Sequence, residues 1–179
     1  MMKTSFTLIV LIGILAGCAT KPPPVATDIN PITGARTDVS DILLPGSSSQ
    51  PREVVYLSTF RTTDYTSPPK YYFLARYIAP AEVGFLEIPP GQTLTLFADG
   101  QAIKLDSSGS LNTRKAFKEK DLDFVSEFAQ YQVSKLDMEK LGYARKIKVQ
   151  LKGNKGIVDR DFGPENYDSI RAFVTRAVL

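Results

Sequence analysis

The sequence contains no histidine, no tryptophan and a single cysteine among its 179 residues. Histidine is the commonest general base and metal ligand, so its absence removes the Ser-His and Cys-His nucleophile pairs of most familiar hydrolases. One cysteine cannot form an intramolecular disulfide, and the fold must therefore be stabilised by packing. We expect a protein that is not an enzyme, with no catalytic residues, no metal site and no cofactor.

The chain also has little surplus of either charge. Its 22 lysines and arginines against 19 acidic residues give a formal net charge of +3. Such a small surplus argues against nucleic acid as a partner, since nucleic-acid-binding domains concentrate positive charge on one surface. The composition is otherwise that of a globular protein, with 43% hydrophobic residues and 10 Phe and 8 Tyr to build a core.

The first apolar segment is short. Lys3 precedes the apolar run 6–15, which is about half as long as the roughly 20 residues that a membrane-spanning helix needs. A positive residue followed by a short apolar run is typical of an export signal. We therefore interpret residues 1–17 as a signal peptide and not as a membrane span.

The signal ends in Leu15-Ala16-Gly17-Cys18, which resembles the lipobox of bacterial lipoproteins. The resemblance implies cleavage before Cys18, a covalent lipid on its thiol, and a mature chain attached to a membrane. Two or more acyl chains hold a protein there almost permanently, because each buried methylene contributes about 0.8 kcal/mol. Ala19 rather than aspartate follows the cysteine, which in such lipoproteins implies the outer membrane, with the domain facing the periplasm.

Residues 18–51 have the composition of a linker. They are rich in proline, glycine and serine, and 42–44 is their short apolar group. Such segments are extended and hydrated, so we expect a flexible tether with a root-mean-square reach of about 30 Å. Residues 52–179 should then form a single folded domain.

The sequence of residues 52–179 predicts mainly strands. β-Branched and aromatic segments predict four of them, at 53–62, 71–78, 83–88 and 123–132. The polar stretch 107–121 predicts a loop. The clearest hairpin covers 93–106, because Asp99-Gly100 suits a type I′ turn that sets Leu96 opposite Ile103.

The C-terminal part predicts a second hairpin and two helices. Residues 145–152 alternate apolar and polar side chains and return as 157–162. Ser134 is placed to cap a short helix, and Pro164 suits the first turn of a final helix with an apolar face. The predicted fold is α+β: a mainly antiparallel sheet of about seven or eight strands with two helices packed on one face.

Two groups of residues are candidates for a binding surface. The first is a basic strand face with its flanking turns, formed by Arg145, Lys146, Lys148, Lys152 and Lys155. It could contact an anionic glycolipid, lipid headgroups or an acidic envelope protein, with Asp159 and Asp161 balancing part of its charge and Asp161 opposite Lys148. The second group is aromatic, with Tyr65 and Tyr72 near a proline loop, Pro68-Pro69.

Carboxylates supply the enzymatic alternative, because two of them alone can act as general acid and base. The candidates are Asp121, Asp123 and Glu127, or Asp159 and Asp161, and neither group has the spacing of a known metal loop. Our leading hypothesis is a non-enzymatic module that binds or scaffolds an envelope partner at the membrane. An envelope hydrolase, and a lipid or lipopolysaccharide carrier with an apolar cavity, are the alternatives.

The domain from Arg52 onward resembles a group of small bacterial envelope lipoproteins. The resemblance rests on the segments 71–91, 95–100 and 145–153, on the step from Tyr131 through a short helix, and on the closing aromatic helix. No activity is established for that group. The resemblance therefore implies an envelope location and a shared fold, and it assigns no site residues.

Overall fold

The structure, a computed structural model, describes residues 25–31, 33–64 and 66–179. Within these residues the chain forms ten strands and two helices. The strands are β1 (Ala26–Ile29), β2 (Arg36–Leu44), β3 (Val54–Thr63), β4 (Lys70–Pro80), β5 (Gly91–Ala98), β6 (Gln101–Ser107), β7 (Lys115–Glu119), β8 (Leu122–Val133), β9 (Ile147–Gly153) and β10 (Gly156–Asp161). The helices are α1 (Lys135–Tyr143) and α2 (Pro164–Phe173), and α2 continues into a π-helical turn, Val174–Val178.

The strands form two antiparallel sheets. One has six strands in the order β1-β2-β3-β4-β8-β7, and the other has four in the order β10-β9-β5-β6. The predicted α+β class with mainly antiparallel pairing is confirmed, but the prediction of one sheet with seven or eight strands is wrong. The sheets separate at residues 81–90, which carry the chain from β4 in the first sheet to β5 in the second.

The prediction of a flexible tether over residues 18–51 is wrong for the part that forms β1 and β2. β2 pairs with β3 from Arg36 to Leu44, and β1 pairs with β2. Ile42 and Leu44 are fully buried because alternate residues of β2 face the core. The described fold therefore already includes Val25, whose exposed fraction is only 6%, and does not start at Arg52.

Two further predictions fail between β4 and β8. Residues 83–88 form no strand, because Glu87 has a left-handed φ of 60° and the N–H groups of Glu87 and Ile88 donate to the Glu127 carboxylate. The loop predicted over 107–121 contains β7, which pairs with β8. Only Phe117 in β7 is even half-buried, so this strand has little apolar alternation to reveal it.

Both predicted hairpins are confirmed. Leu96 pairs with Ile103 across Asp99-Gly100, whose φ values of 48° and 86° are the positive angles that a type I′ turn requires. In the second hairpin Lys148 pairs with Asp161, the register that matches both the apolar and the charged positions.

The helices begin where their capping residues predict. Ser134 Oγ accepts a hydrogen bond from the Asp137 N–H at 3.0 Å and caps α1, and Pro164 opens α2. α1 contacts β4 and α2 contacts β2, so both helices pack on the six-stranded sheet. Ile170 and Phe173 of α2 are buried there. None of the helices in the described ranges is long and apolar enough to span a bilayer.

The core lies between the inner face of the six-stranded sheet and the elements that cover it. β6 contacts β8, and the hydroxyls of Thr93 on β5 and Tyr131 on β8 are hydrogen bonded at 2.9 Å. Phe73, Tyr77 and Tyr131 are each at most 1% exposed. The helices and the four-stranded sheet thus cover the same side of the larger sheet, which leaves its opposite side outward.

Candidate binding surfaces

The outward side of the six-stranded sheet carries many apolar residues. Along β4, Tyr71 and Phe73 are buried, whereas Tyr72, Leu74 and Arg76 between and after them are half-buried or exposed. The apolar residues on this side, which we call the outer face, are Val39, Leu43, Val54, Tyr56, Phe60, Tyr72, Leu74, Ile78, Phe117, Phe124 and Phe128. Each is half-buried or exposed, so the outer face meets solvent.

Two stacked ring pairs organise the outer face. Phe60 and Tyr72 pair across β3 and β4, with ring centroids 5.1 Å apart and an interplanar angle of 20°. Phe117 and Phe124 pair across β7 and β8 at 5.6 Å and 20°. Because such cross-strand pairs restrict side-chain motion and contribute about 0.5–1.5 kcal/mol each, the rings are held in fixed orientations on the sheet.

A groove of about 420 Å³ borders the outer face where β4 and β8 meet the end of β6. Its lining residues are Tyr72, Asp106, Ser107, Ser108, Gln130 and Gln132. Tyr72 lies directly across from Gln132 on β8, and Phe60 occupies the other side of Tyr72 on β3. The groove therefore combines one aromatic ring with amide, hydroxyl and carboxylate groups.

The predicted basic residues lie on β9 and in its flanking turns. They are the exposed or half-buried Arg145, Lys146, Lys148, Lys152 and Lys155. Lys148 Nζ is 3.4 Å from Asp159 Oδ1, and Lys155 Nζ is 3.8 Å from Glu87 Oε1. Asp159 and Asp161 are exposed on β10. Part of this positive charge is therefore paired within the four-stranded sheet and its turns.

The two predicted tyrosines have different outcomes. Tyr65 lies outside the described residues, and so does Cys18. Tyr72 lies on the outer face and in the groove beside it. The structure does not place Tyr72 with the proline loop: Pro68 and Pro69 line a separate groove, together with Arg61, Tyr71, Lys135, Arg176, Ala177, Val178 and Leu179.

The first group of candidate carboxylates, Asp121, Asp123 and Glu127, is divided between two places. Asp121 and Asp123 line a groove of about 580 Å³ with Glu82 and Arg52, whereas Glu127 is fully buried elsewhere. The Glu82 backbone N–H, and after it Arg52, hold the pKa of the Glu82 carboxyl below its ordinary value, which is opposite to the shift that a general acid requires. Across the described ranges, no three His, Cys, Asp or Glu side chains form a group that could hold a metal ion.

Glu127 orders two loops instead of facing a groove. Its carboxylate accepts the N–H groups of Glu87 at 2.8 Å and Ile88 at 3.3 Å, and it accepts the Ser110 hydroxyl. Arg114 Nε lies 3.5 Å away and supplies the opposite charge. These contacts give Glu127 a structural role.

A second buried carboxylate, Asp38, joins the first three strands. It accepts hydrogen bonds from Thr27 on β1 at 2.6 Å and from Arg36 at 2.8 Å, and Arg61 Nη1 on β3 lies 3.7 Å away. Burial alone would raise the pKa of Asp38. The hydrogen bonds from Arg36 and Thr27, with the charges of both arginines, outweigh burial and lower it.

Comparison with known proteins identifies no relative, since no protein-family model, no curated protein and no solved structure matches the chain. The surfaces above are therefore interpreted from their own geometry.

Proposed function

We propose that the protein is a bacterial lipoprotein, lipidated on Cys18, whose folded part recognises a component of the cell envelope through the outer face. The observation that carries this proposal is the outer face itself. Its apolar and aromatic side chains remain half-buried or exposed while the helices and the four-stranded sheet cover the opposite side. Polar outward residues such as Ser58 and Arg76 lie among these apolar ones, and exposed apolar patches bordered by polar groups mark interaction sites.

The N-terminal sequence supports the anchor. A short apolar run ends in Leu15-Ala16-Gly17-Cys18, and Ala19 favours sorting to the outer membrane with the domain in the periplasm. Val25, seven residues after Cys18, is already buried in the described fold. Seven residues span at most about 25 Å even when fully extended. The recognition surface is therefore held near the bilayer and not on a long tether.

Recognition has more support than the two alternatives. Hydrolysis by carboxylates would need an acid and a base that converge on one groove, whereas the candidate Glu127 is fully buried and accepts hydrogen bonds from Glu87, Ile88 and Ser110. A lipid carrier would need an apolar cavity, whereas Phe73, Tyr77 and Phe173 fill the space beside the inner face and are almost fully buried. The basic face of β9 offers a second surface, but part of its charge is paired with Asp159.

Photo-crosslinking in intact cells tests the proposal. A benzophenone amino acid replaces Tyr56 on the outer face, which is 36% exposed, or Tyr143 at the end of α1, which is 69% exposed. We expect a discrete crosslinked species from position 56 alone, although position 143 is more accessible. Absence of a crosslinked species at position 56, or the same species from both positions, would contradict recognition through the outer face.

A further inference from the structure

We infer that the groove beside Tyr72 binds a neutral saccharide. This ligand class rests on the proposed function, because Tyr72, Gln130 and Gln132 belong to the outward side of the six-stranded sheet. The groove offers one aromatic ring, two amides, two hydroxyls and one carboxylate. Saccharides are recognised by this combination, since a sugar ring has an apolar C–H face and a rim of hydroxyls.

The Tyr72 ring supplies the flat apolar surface. Phe60 stacks on the β3 side of the ring, 5.1 Å between centroids, and Gln132 lies across on the β8 side. The second face of the ring is therefore directed toward the groove, where the C–H face of a pyranose can pack on it. Because Phe60 already fixes the ring, little side-chain freedom is lost when a sugar binds.

The polar groups match the hydroxyls of a sugar. An amide and a serine hydroxyl each donate and accept hydrogen bonds, as a sugar hydroxyl does, and a carboxylate accepts them. Gln130, Gln132, Asp106 and Ser108 are exposed along the groove. The Ser107 Oγ is engaged within the fold, because it accepts the Gly109 N–H at 3.1 Å and lies 3.4 Å from the Thr93 hydroxyl.

The charge of the lining favours a neutral ligand. Of the six lining residues one, Asp106, is acidic and none is basic. Phosphate, sulfate or uronate groups would therefore find no opposite charge in the groove and one like charge.

Binding of defined oligosaccharides to the full-length lipidated protein in detergent tests the inference. The probes are a β-1,4-linked N-acetylglucosamine tetramer, an α-1,4-linked glucose tetramer and glucose 6-phosphate, measured by calorimetry and saturation-transfer NMR. We expect one of the two neutral tetramers to bind and the phosphorylated sugar not to. Binding of only one tetramer would show whether β-linked glycan strands or α-linked glucans are preferred.

Variants then assign binding to the groove. Tyr72→Ala should weaken affinity by about tenfold or more, as expected for a central aromatic contact, whereas Tyr72→Phe keeps the ring and should retain binding. Tyr143→Ala is the matched control on α1 and should bind as wild type. Since Tyr72→Ala also loses the Phe60 stack, the exposed pair Gln130→Ala and Gln132→Ala, combined, gives a second test that leaves the ring in place and should also weaken binding.

The inference is overturned if neither tetramer binds the wild type, if glucose 6-phosphate binds more tightly, or if neither Tyr72→Ala nor the double glutamine variant reduces affinity. Its failure is distinguishable from failure of the proposed function. A crosslinked species at position 56 without saccharide binding would contradict a saccharide as the ligand. It would still support recognition of an envelope component through the outer face.

Discussion

Asp38 connects β1, β2 and β3 through a charge that is fully removed from water. Its partners are the Thr27 hydroxyl and the guanidinium groups of Arg36 and Arg61. Both arginines are partly exposed, at 41% and 22% of their side chains. Removal of the carboxylate would leave the two positive groups close together without the negative charge that compensates them.

We therefore expect Asp38→Asn to lower the free energy of unfolding at pH 7 by about 3 kcal/mol, the usual cost of breaking a buried ion pair. Urea denaturation followed by circular dichroism measures it. Asp41→Asn, an exposed carboxylate on the same strand, is the matched control and should change stability little. Equal effects of the two substitutions would contradict the role of Asp38.

The loss of unfolding free energy caused by Asp38→Asn should depend on pH. Because the pKa of Asp38 is lower in the folded protein than in the unfolded chain, its contribution is complete above the unfolded value near 4 and falls as pH drops through the folded value. The difference between wild type and Asp38→Asn should thus narrow below about pH 4. A constant difference from pH 7 to pH 2.5 would show that the charge of Asp38 is not the cause.

The alternation of inward and outward positions along a strand can predict that a charged residue is buried, if charged residues are assigned to the two faces in the same way as apolar ones. Arg160 lies between Val158 and Phe162 on the inward side of β10, and it is 5% exposed. It donates to the Glu53 carbonyl at 2.8 Å and to the Gln50 side chain at 2.9 Å. Gln50 and Glu53 are more than a hundred residues away in the chain, so no local pattern reveals these two hydrogen bonds of Arg160.

At the scale of elements, β2 shows how composition can conceal a strand. It is flanked by glycine and proline, and only three of its nine residues, 42–44, form an apolar run. Its inward positions also include Asp38 and Ser40, which are polar but buried. Since those polar side chains sit where apolar ones are expected, the alternation was not visible in the sequence.

Neighbouring leucines in β2 test whether this segment is a strand of the core. Leu44 is fully buried and Leu43 is 46% exposed. Leu44→Ala should destabilise the protein by about 2–5 kcal/mol because it removes a core side chain and leaves a cavity. Leu43→Ala should change stability by only about 0.5 kcal/mol. Equally small effects in chemical denaturation would restore the tether interpretation.

The elements with correct predictions share local causes. The type I′ turn at Asp99-Gly100 and the Ser134 cap are each specified by a few consecutive residues. The partition into two sheets has no such signature, because it depends on which distant strands pair with β5 and β8. The groove beside Tyr72 likewise combines residues from β4, β6 and β8. Tyr72 in this groove was a candidate from the sequence, whereas Gln130, Gln132 and Asp106 were not.

At the scale of the whole molecule, the two sides of the six-stranded sheet have separate tasks. One side packs against α1, α2 and the four-stranded sheet and stabilises the fold. The other presents stacked rings and a polar groove toward solvent. If Cys18 is lipidated as proposed, at most about 25 Å of chain separates the anchor from Val25, and this outward side would lie close to the membrane.

Incorporation of labelled palmitate into the membrane-associated protein is the most direct test of an anchored recognition module. We expect wild-type protein to be labelled and to sediment with membranes, and Cys18→Ala to be unlabelled and released from them. Wild-type protein that sediments with membranes but takes up no palmitate would contradict lipid anchoring through Cys18.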